Sequence, residues 1–190
     1  MSRSRWVRRW AVALAAATVL TACGGGGGGG GGLGGGNVSA QQYVKSTCTS
    51  LGAWVRDVQK RVAAVSQQNP STAAAGKKLI TSFFDAVVAD TGKLIDELKA
   101  GGTPDVDNGD QIQAAIVTTL EKAKSLLQQT RGRVENLPTD NPHAFVLAIE
   151  SMSRAVQGAF QKAGQQFAHL RSPELAAAAA KEPACKTIGA

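Results

Sequence analysis

Histidine, cysteine and methionine are the side chains here best able to hold a metal or attack a carbonyl, and their spacing rules out most such chemistry. His143 and His169 are the only histidines. On one helix, 26 residues apart, they stand ~39 Å from each other and cannot share a metal. There is no Glu-x-x-His of the kind used by di-iron bundles, and no Cys-x-x-Cys-His for haem attachment. Met152 has the spacing of a core residue rather than of a haem or copper ligand. A nucleophilic serine needs a base within reach and an elbow such as Gly-x-Ser-x-Gly, which the chain lacks. The segment Asp105-Val106-Asp107-Asn108-Gly109-Asp110 alternates acids like a calcium loop. Its glycine, however, is not at the sixth position with a bidentate glutamate at the twelfth, so it reads as a polar turn that caps the next helix. No catalytic, metal or cofactor site emerges, and the residues with chemistry left to assign are Cys23, Cys48 and Cys185.

The elements that carry these cysteines are helical by periodicity. Ser39 and Gln42 have the capping-box spacing that satisfies orphan amides at a helix start. Val44, Cys48, Leu51, Val55, Val58, Val62 and Val65 follow in steps of four and three, along one face of a first helix. Asn69-Pro70 is the expected start of a second helix, with the stripe Ile80, Phe83, Phe84, Val87, Thr91, Leu94, Ile95 and Leu98 and a stop at Gly101-Gly102. A third runs from about Asp110 to Leu137 with Ile112, Ile116, Leu120, Ala123, Leu127, Thr130, Val134 and Leu137 on one face; Pro138 ends it. Asn141-Pro142 opens a fourth, with Phe145, Ile149, Met152, Val156, Phe160, Ala163, Phe167 and Leu170. Ser172-Pro173-Glu174 restarts a short helix through the alanine run. No segment sustains strand alternation. Four stripes of similar length joined by short polar turns predict an all-α fold, an antiparallel up-down four-helix bundle with a short C-terminal helix and a tethered tail.

The N-terminus has a different grammar. Arg3, Arg5, Arg8 and Arg9 form a basic region with no acid, and an apolar run from Trp10 to Leu20 follows. That is the plan of an export signal, and the run is too short for a helix that must cross a bilayer with ~20 residues. It ends in Leu20-Thr21-Ala22-Cys23, which resembles the lipobox of bacterial lipoproteins: an aliphatic residue, two small residues and cysteine. The resemblance implies a diacylglycerol thioether on the Cys23 thiol, cleavage before it, and attachment to the outer face of the cell membrane. The alanine- and arginine-rich style is similar to that of exported proteins from high-GC Gram-positive bacteria. Cleavage by the ordinary secretory peptidase after Ala22 is the alternative, and Arg8-Arg9 leaves open whether the route is the general or the twin-arginine one. The ectodomain itself resembles no family that its residues identify.

Residues 1–22 thus read as a signal peptide, 23–38 as the lipidated cysteine with its linker, and 39–190 as the helical domain. From Gly24 to Gly36 every residue but Leu33 is glycine, which has no side chain to bury and behaves as a flexible leash with a span on the order of 20 Å. Loss of residues 1–22 removes four arginines and no acid, so 17 Lys and Arg then face 14 Asp and Glu and the formal charge falls from +7 to +3. A mild, dispersed positive balance gives no basis for nucleic-acid binding. With Cys23 assigned to lipid, Cys48 and Cys185 remain as an even pair, and export favours a disulfide between them over two free buried thiols. The sequence therefore predicts a membrane-anchored, extracytoplasmic, non-catalytic binding module, with no metal and no cofactor. Its partner is a protein, a cell-wall polymer or a small ligand; an accessory subunit of a membrane complex and a small-ligand carrier are the alternatives.

Overall fold

The computed structural model describes residues 36–167, 172–186 and 188, without side-chain positions for 159–167. The signal segment, Cys23, most of the glycine leash, His169 and Leu170 lie outside these residues. The described chain is mostly helical. Its elements are β1 (Asn37–Val38), α1 (Ala40–Ser66), α2 (Ala73–Ala100), β2 (Thr103–Pro104), α3 (Gly109–Glu135), α4 (Pro142–Phe167), α5 (Pro173–Lys181) and α6 (Pro183–Lys186).

Three of the five helix starts expected from local chemistry form where side-chain oxygens can reach orphan amides. Ser39 accepts from the Gln42 amide at 3.3 Å, Asn141 from Ala144 at 3.0 Å, and Ser172 from Leu175 at 3.3 Å. The second helix departs from expectation: Asn69-Pro70 stays in the loop, and Thr72 caps α2 by accepting from the Ala75 amide at 3.1 Å. Starting later leaves Pro70 free to lie against Gly76, where an added Cβ would sit 3.6 Å from both the Pro70 ring and Phe145 Cε1. Packing thus overrides the local signal.

Helix α2 is the central rod. It shares its largest seam with α3 and a smaller one with α1. Val87, Leu94, Ile95 and Leu98 of α2, with Val117, Leu127 and Val134 of α3, are buried, at roughly 1.5–3 kcal/mol for each large apolar side chain removed from water. Charged pairs cross both seams. Arg61 of α1 donates to both Asp90 carboxylate oxygens of α2 at 2.7 and 3.2 Å, and Lys99 and Arg131 join α2 to α3 through Glu121 and Asp85, each at 2.8 Å. Across α2 and α3 the partner numbers run in opposite directions, 85 with 131 and 99 with 121, as antiparallel neighbours require. Trp54 Nε1 donates to Thr91 Oγ1 at 3.2 Å, and Thr91 donates in turn to the Val87 carbonyl, so a fully buried hydroxyl on the α2 stripe is satisfied.

The stripe on α1 behaves differently along its length. Tyr43, Val44 and Thr47 are buried near its start, whereas Leu51, Val55, Val58, Val62 and Val65 are only half-buried. Helix α4 packs chiefly on α3, and Ala73, Ile80 and Phe84 of α2 pack against the buried cluster of Val134, Phe145 and Ile149. One pair of elements has no counterpart in the sequence reading. β1 and β2 form a short parallel pair, Asn37 opposite Thr103 and Val38 opposite Pro104, so the last two residues of the predicted linker join the folded body. Short as it is, this pair locates the root of the leash. No helix of the described residues is long and apolar enough to cross a membrane.

Candidate functional site

The residues with chemistry to offer do not converge. His143 is exposed in the first turn of α4, and His169 lies outside the described residues. Met152 packs half-buried against Val134, Phe145 and Ile149. Among the described residues no group of three or more His, Cys, Asp or Glu could hold a metal ion. Asp105 and Asp107 are exposed in a turn whose amides are already bonded: Asp105 N donates to Val38 O at 2.7 Å, Val106 N to Pro104 O at 2.9 Å and Gly109 N to Val106 O at 3.0 Å. Asn108 takes the left-handed conformation at the start of α3 (φ 59°), and its side chain makes no capping bond.

What the fold does bring together is Cys48 and Cys185, in a disulfide spanning 137 residues of sequence. The bridge joins α1 to α6 at the end of the molecule where the leash begins. Around it Tyr43, Val44 and Ile112 are buried against Leu175 and Ala178, with Val38, Val106, Ile116 and Ala179 at the margin. In the chain-entropy model a loop of this length is worth at most about 5 kcal/mol before native-state costs.

Two glycines close this end. Gly102 has φ +85°, and a Cβ there would meet the Gly36 carbonyl oxygen at 2.6 Å; a Cβ on Gly109 would fall 1.9 Å from the Pro104 carbonyl oxygen. Only glycine allows the α2–α3 connection to press against β1. Beneath it, a buried polar pair links three helices: the Tyr43 hydroxyl donates to Gln113 Oε1 at 2.5 Å, and Gln113 Nε2 donates to the Leu98 carbonyl at 2.7 Å. Such a network fixes one arrangement because each member left alone would be an unpaired buried dipole.

Electrostatics at this end are local. Ser172, 1% exposed, accepts the Leu175 amide and donates to Glu174 Oε2 at 2.7 Å; that bond holds the Glu174 carboxyl below its ordinary pKa. Elsewhere, the hydrogen bonds from Arg61 to Asp90 and from Arg131 to Asp85 raise the guanidinium pKa values further above the ordinary arginine range. Tyr43 and Gln113 were missed by the helix periodicity, the tyrosine because it sits one residue off the expected stripe and the glutamine because it is polar.

No family model, curated protein or solved structure matches the chain.

Proposed function

We propose that the chain is a bacterial lipoprotein whose Cys23 carries a diacylglycerol, and that its helical domain works outside the cytoplasm as a non-catalytic binding module. The observation that carries this reading is the stretch Leu20-Thr21-Ala22-Cys23, placed at the end of an apolar run behind four arginines. The Cys48–Cys185 bridge supports it, since disulfides persist in oxidising compartments. Two acyl chains, at about 0.8 kcal/mol per buried methylene, give stable attachment where one would be marginal. The leash then joins the lipid to the end of the domain that holds β1.

In this reading the four long helices follow an up-down order, supported by their short connections and by the opposed registers of α2 and α3. The long axis carries the α4 start and the loops near Asn69 and Asp140 away from the root of the leash. The partner is a protein, a wall polymer or a small ligand met at the cell surface; docking on a membrane complex differs only in where that partner sits.

Metabolic labelling with a fatty-acid analogue tests the anchor. The wild-type chain should take the label and enter the detergent phase, and Cys23→Ala should abolish both. Equal detergent partitioning of the two proteins, or a wild-type chain without label, overturns the assignment.

A further inference from the structure

We infer that the C-terminal segment, α5 with α6, is a redox-releasable plug: it covers the apolar surface of Tyr43, Val44 and Ile112 only while Cys48–Cys185 is closed. The inference goes beyond the anchored-module reading and does not depend on the lipid.

Its first support is how little apolar surface the segment buries among the described residues. Helices α5 and α6 share their substantial seams with α1. The side chains they bury there are Leu175 and Ala178, with Ala179 and Cys185 half-covered. Leu175 and Ala178, together with the faces of Tyr43, Val44 and Ile112 that they cover, contribute at most about 1.5–3 kcal/mol for each large side chain, less in total than the backbone order of roughly 15 residues costs at about 1–2 kcal/mol per residue. Among the described residues, the side-chain hydrogen bonds of Ser172, Glu174 and Glu182 close within the segment itself: Ser172 with Leu175 and Glu174, and Glu182 Oε1 with the Ala184 amide. The bridge supplies the missing term by holding the segment at high local concentration over α1.

The second support is that the body has its own cohesion. Helices α2 and α3 bury Val87, Leu94, Ile95, Leu98, Val117, Leu127 and Val134, and Lys99 and Arg131 cross between them. Lys77 also donates to the Glu135 and Leu137 carbonyls at 2.8 and 2.9 Å. The Tyr43–Gln113–Leu98 bonds lie wholly within this body and survive departure of the tail. Opening can therefore be local, a low-energy release of one segment from a folded remainder.

The chemistry is thiol–disulfide exchange with a dithiol. One thiolate of the dithiol attacks Sγ of either cysteine, forms a mixed disulfide and expels the other cysteine as a thiolate. The second thiol of the reductant then displaces the attached cysteine. Two electrons and two protons pass to the protein, leaving Cys48 and Cys185 as thiols and the reductant as a cyclic disulfide. Both cysteines are half-buried rather than sealed. Release uncovers Tyr43, Val44 and Ile112 beside the root of the leash, with Val38, Val106 and Ile116 at the margin.

Hydrogen exchange on the full-length oxidised protein, before and after dithiothreitol, tests the idea, with thiol alkylation verifying that both cysteines are free. Amides of Leu175–Lys181 should lose protection by at least about tenfold on reduction, while those of Val87–Leu98 and Leu127–Val134 change less than about twofold. Cys185→Ser, which removes the bridge from the tail side, should give the reduced pattern without reductant. Retained tail protection with both thiols free would refute the plug. Loss of protection in α2 and α3 together with the tail would also refute it, making the bridge a staple of the whole fold.

Discussion

The two ends of the helical body are closed by different physics. At the end that holds β1, a covalent bridge, two glycines under backbone carbonyls and a buried tyrosine–glutamine pair surround a small apolar cluster. At the other end Val134, Phe145 and Ile149 are buried against Ala73, Ile80, Phe84, Leu137 and Met152, with no bridge and a cap made by Asn141. The first end depends on geometry that permits one atom and not another. The second depends on volume, which tolerates exchange among apolar residues of similar size. A substitution adding a single methyl should therefore be severe at the first end, and one removing a large side chain should be the damaging kind at the second.

Gly109→Ala is the most disruptive change expected. The new Cβ would meet the Pro104 carbonyl oxygen at 1.9 Å, and since the obstacle is backbone, β2 must move with the start of α3. A loss of about 4 kcal/mol or more, at the extreme of single substitutions, should appear in urea unfolding followed by the fluorescence of Trp54. An effect below about 1 kcal/mol would mean that the turn can relax and that this end is no stricter than the other. Next in size is Phe145→Ala, which empties a site only 2% exposed and should cost about 3 kcal/mol. Hydrogen exchange should localise that damage to the α3–α4 connection and leave α5 unchanged. Equal loss of protection at both ends would show one undivided core.

How far the sequence disclosed this contrast depends on the range of each interaction. Ser39, Asn141 and Ser172 were legible as helix starts because a cap involves residues three apart. The stripe from Val87 to Leu98 was legible because it is buried along its full extent. The α1 valines carry the same periodicity, yet Val55, Val58, Val62 and Val65 end half-buried, because periodicity states which face is apolar and not how completely a neighbour covers it. Pairing arithmetic identified Cys48 with Cys185, but nothing local revealed that their bridge would sit beside the root of the leash. The β1–β2 pair was invisible, since two residues cannot display alternation. Its trace lay in Gly102 and Gly109, read as a helix stop and a loop residue rather than as places where a carbonyl comes too close for a side chain.

The buried polar pair offers a smaller test of the covalently closed end. Tyr43→Phe keeps the ring and removes the hydroxyl that donates to Gln113 Oε1 across 70 residues of sequence. An acceptor is left in a buried site without that donor, and the expected loss is about 1–2 kcal/mol. Tyr43→Phe combined with Gln113→Leu should recover part of it, since replacing both partners removes the stranded group. A double variant no more stable than Tyr43→Phe would place the cost in packing rather than in the bond.

The smallest effect, about 1 kcal/mol, decides how the volume-dependent end begins its second helix. Two start signals compete there: Asn69-Pro70, favoured by local chemistry, and Thr72, whose hydroxyl accepts from the Ala75 amide at 3.1 Å. If Thr72 is the working cap, Thr72→Ala exposes an orphan amide and lowers stability by about 1 kcal/mol, while Asn69→Ala changes it by no more than a few tenths. The reason for the later start is tertiary, since the Pro70 and Phe145 rings close on Gly76, each 3.6 Å from where a Cβ there would sit. The preference should therefore weaken when that contact is lost. In a Phe145→Ala background, Thr72→Ala should cost measurably less than in the wild type, a coupling readable from a double-mutant cycle. Additive effects would separate the cap from the packing and assign the start of α2 to Thr72 alone.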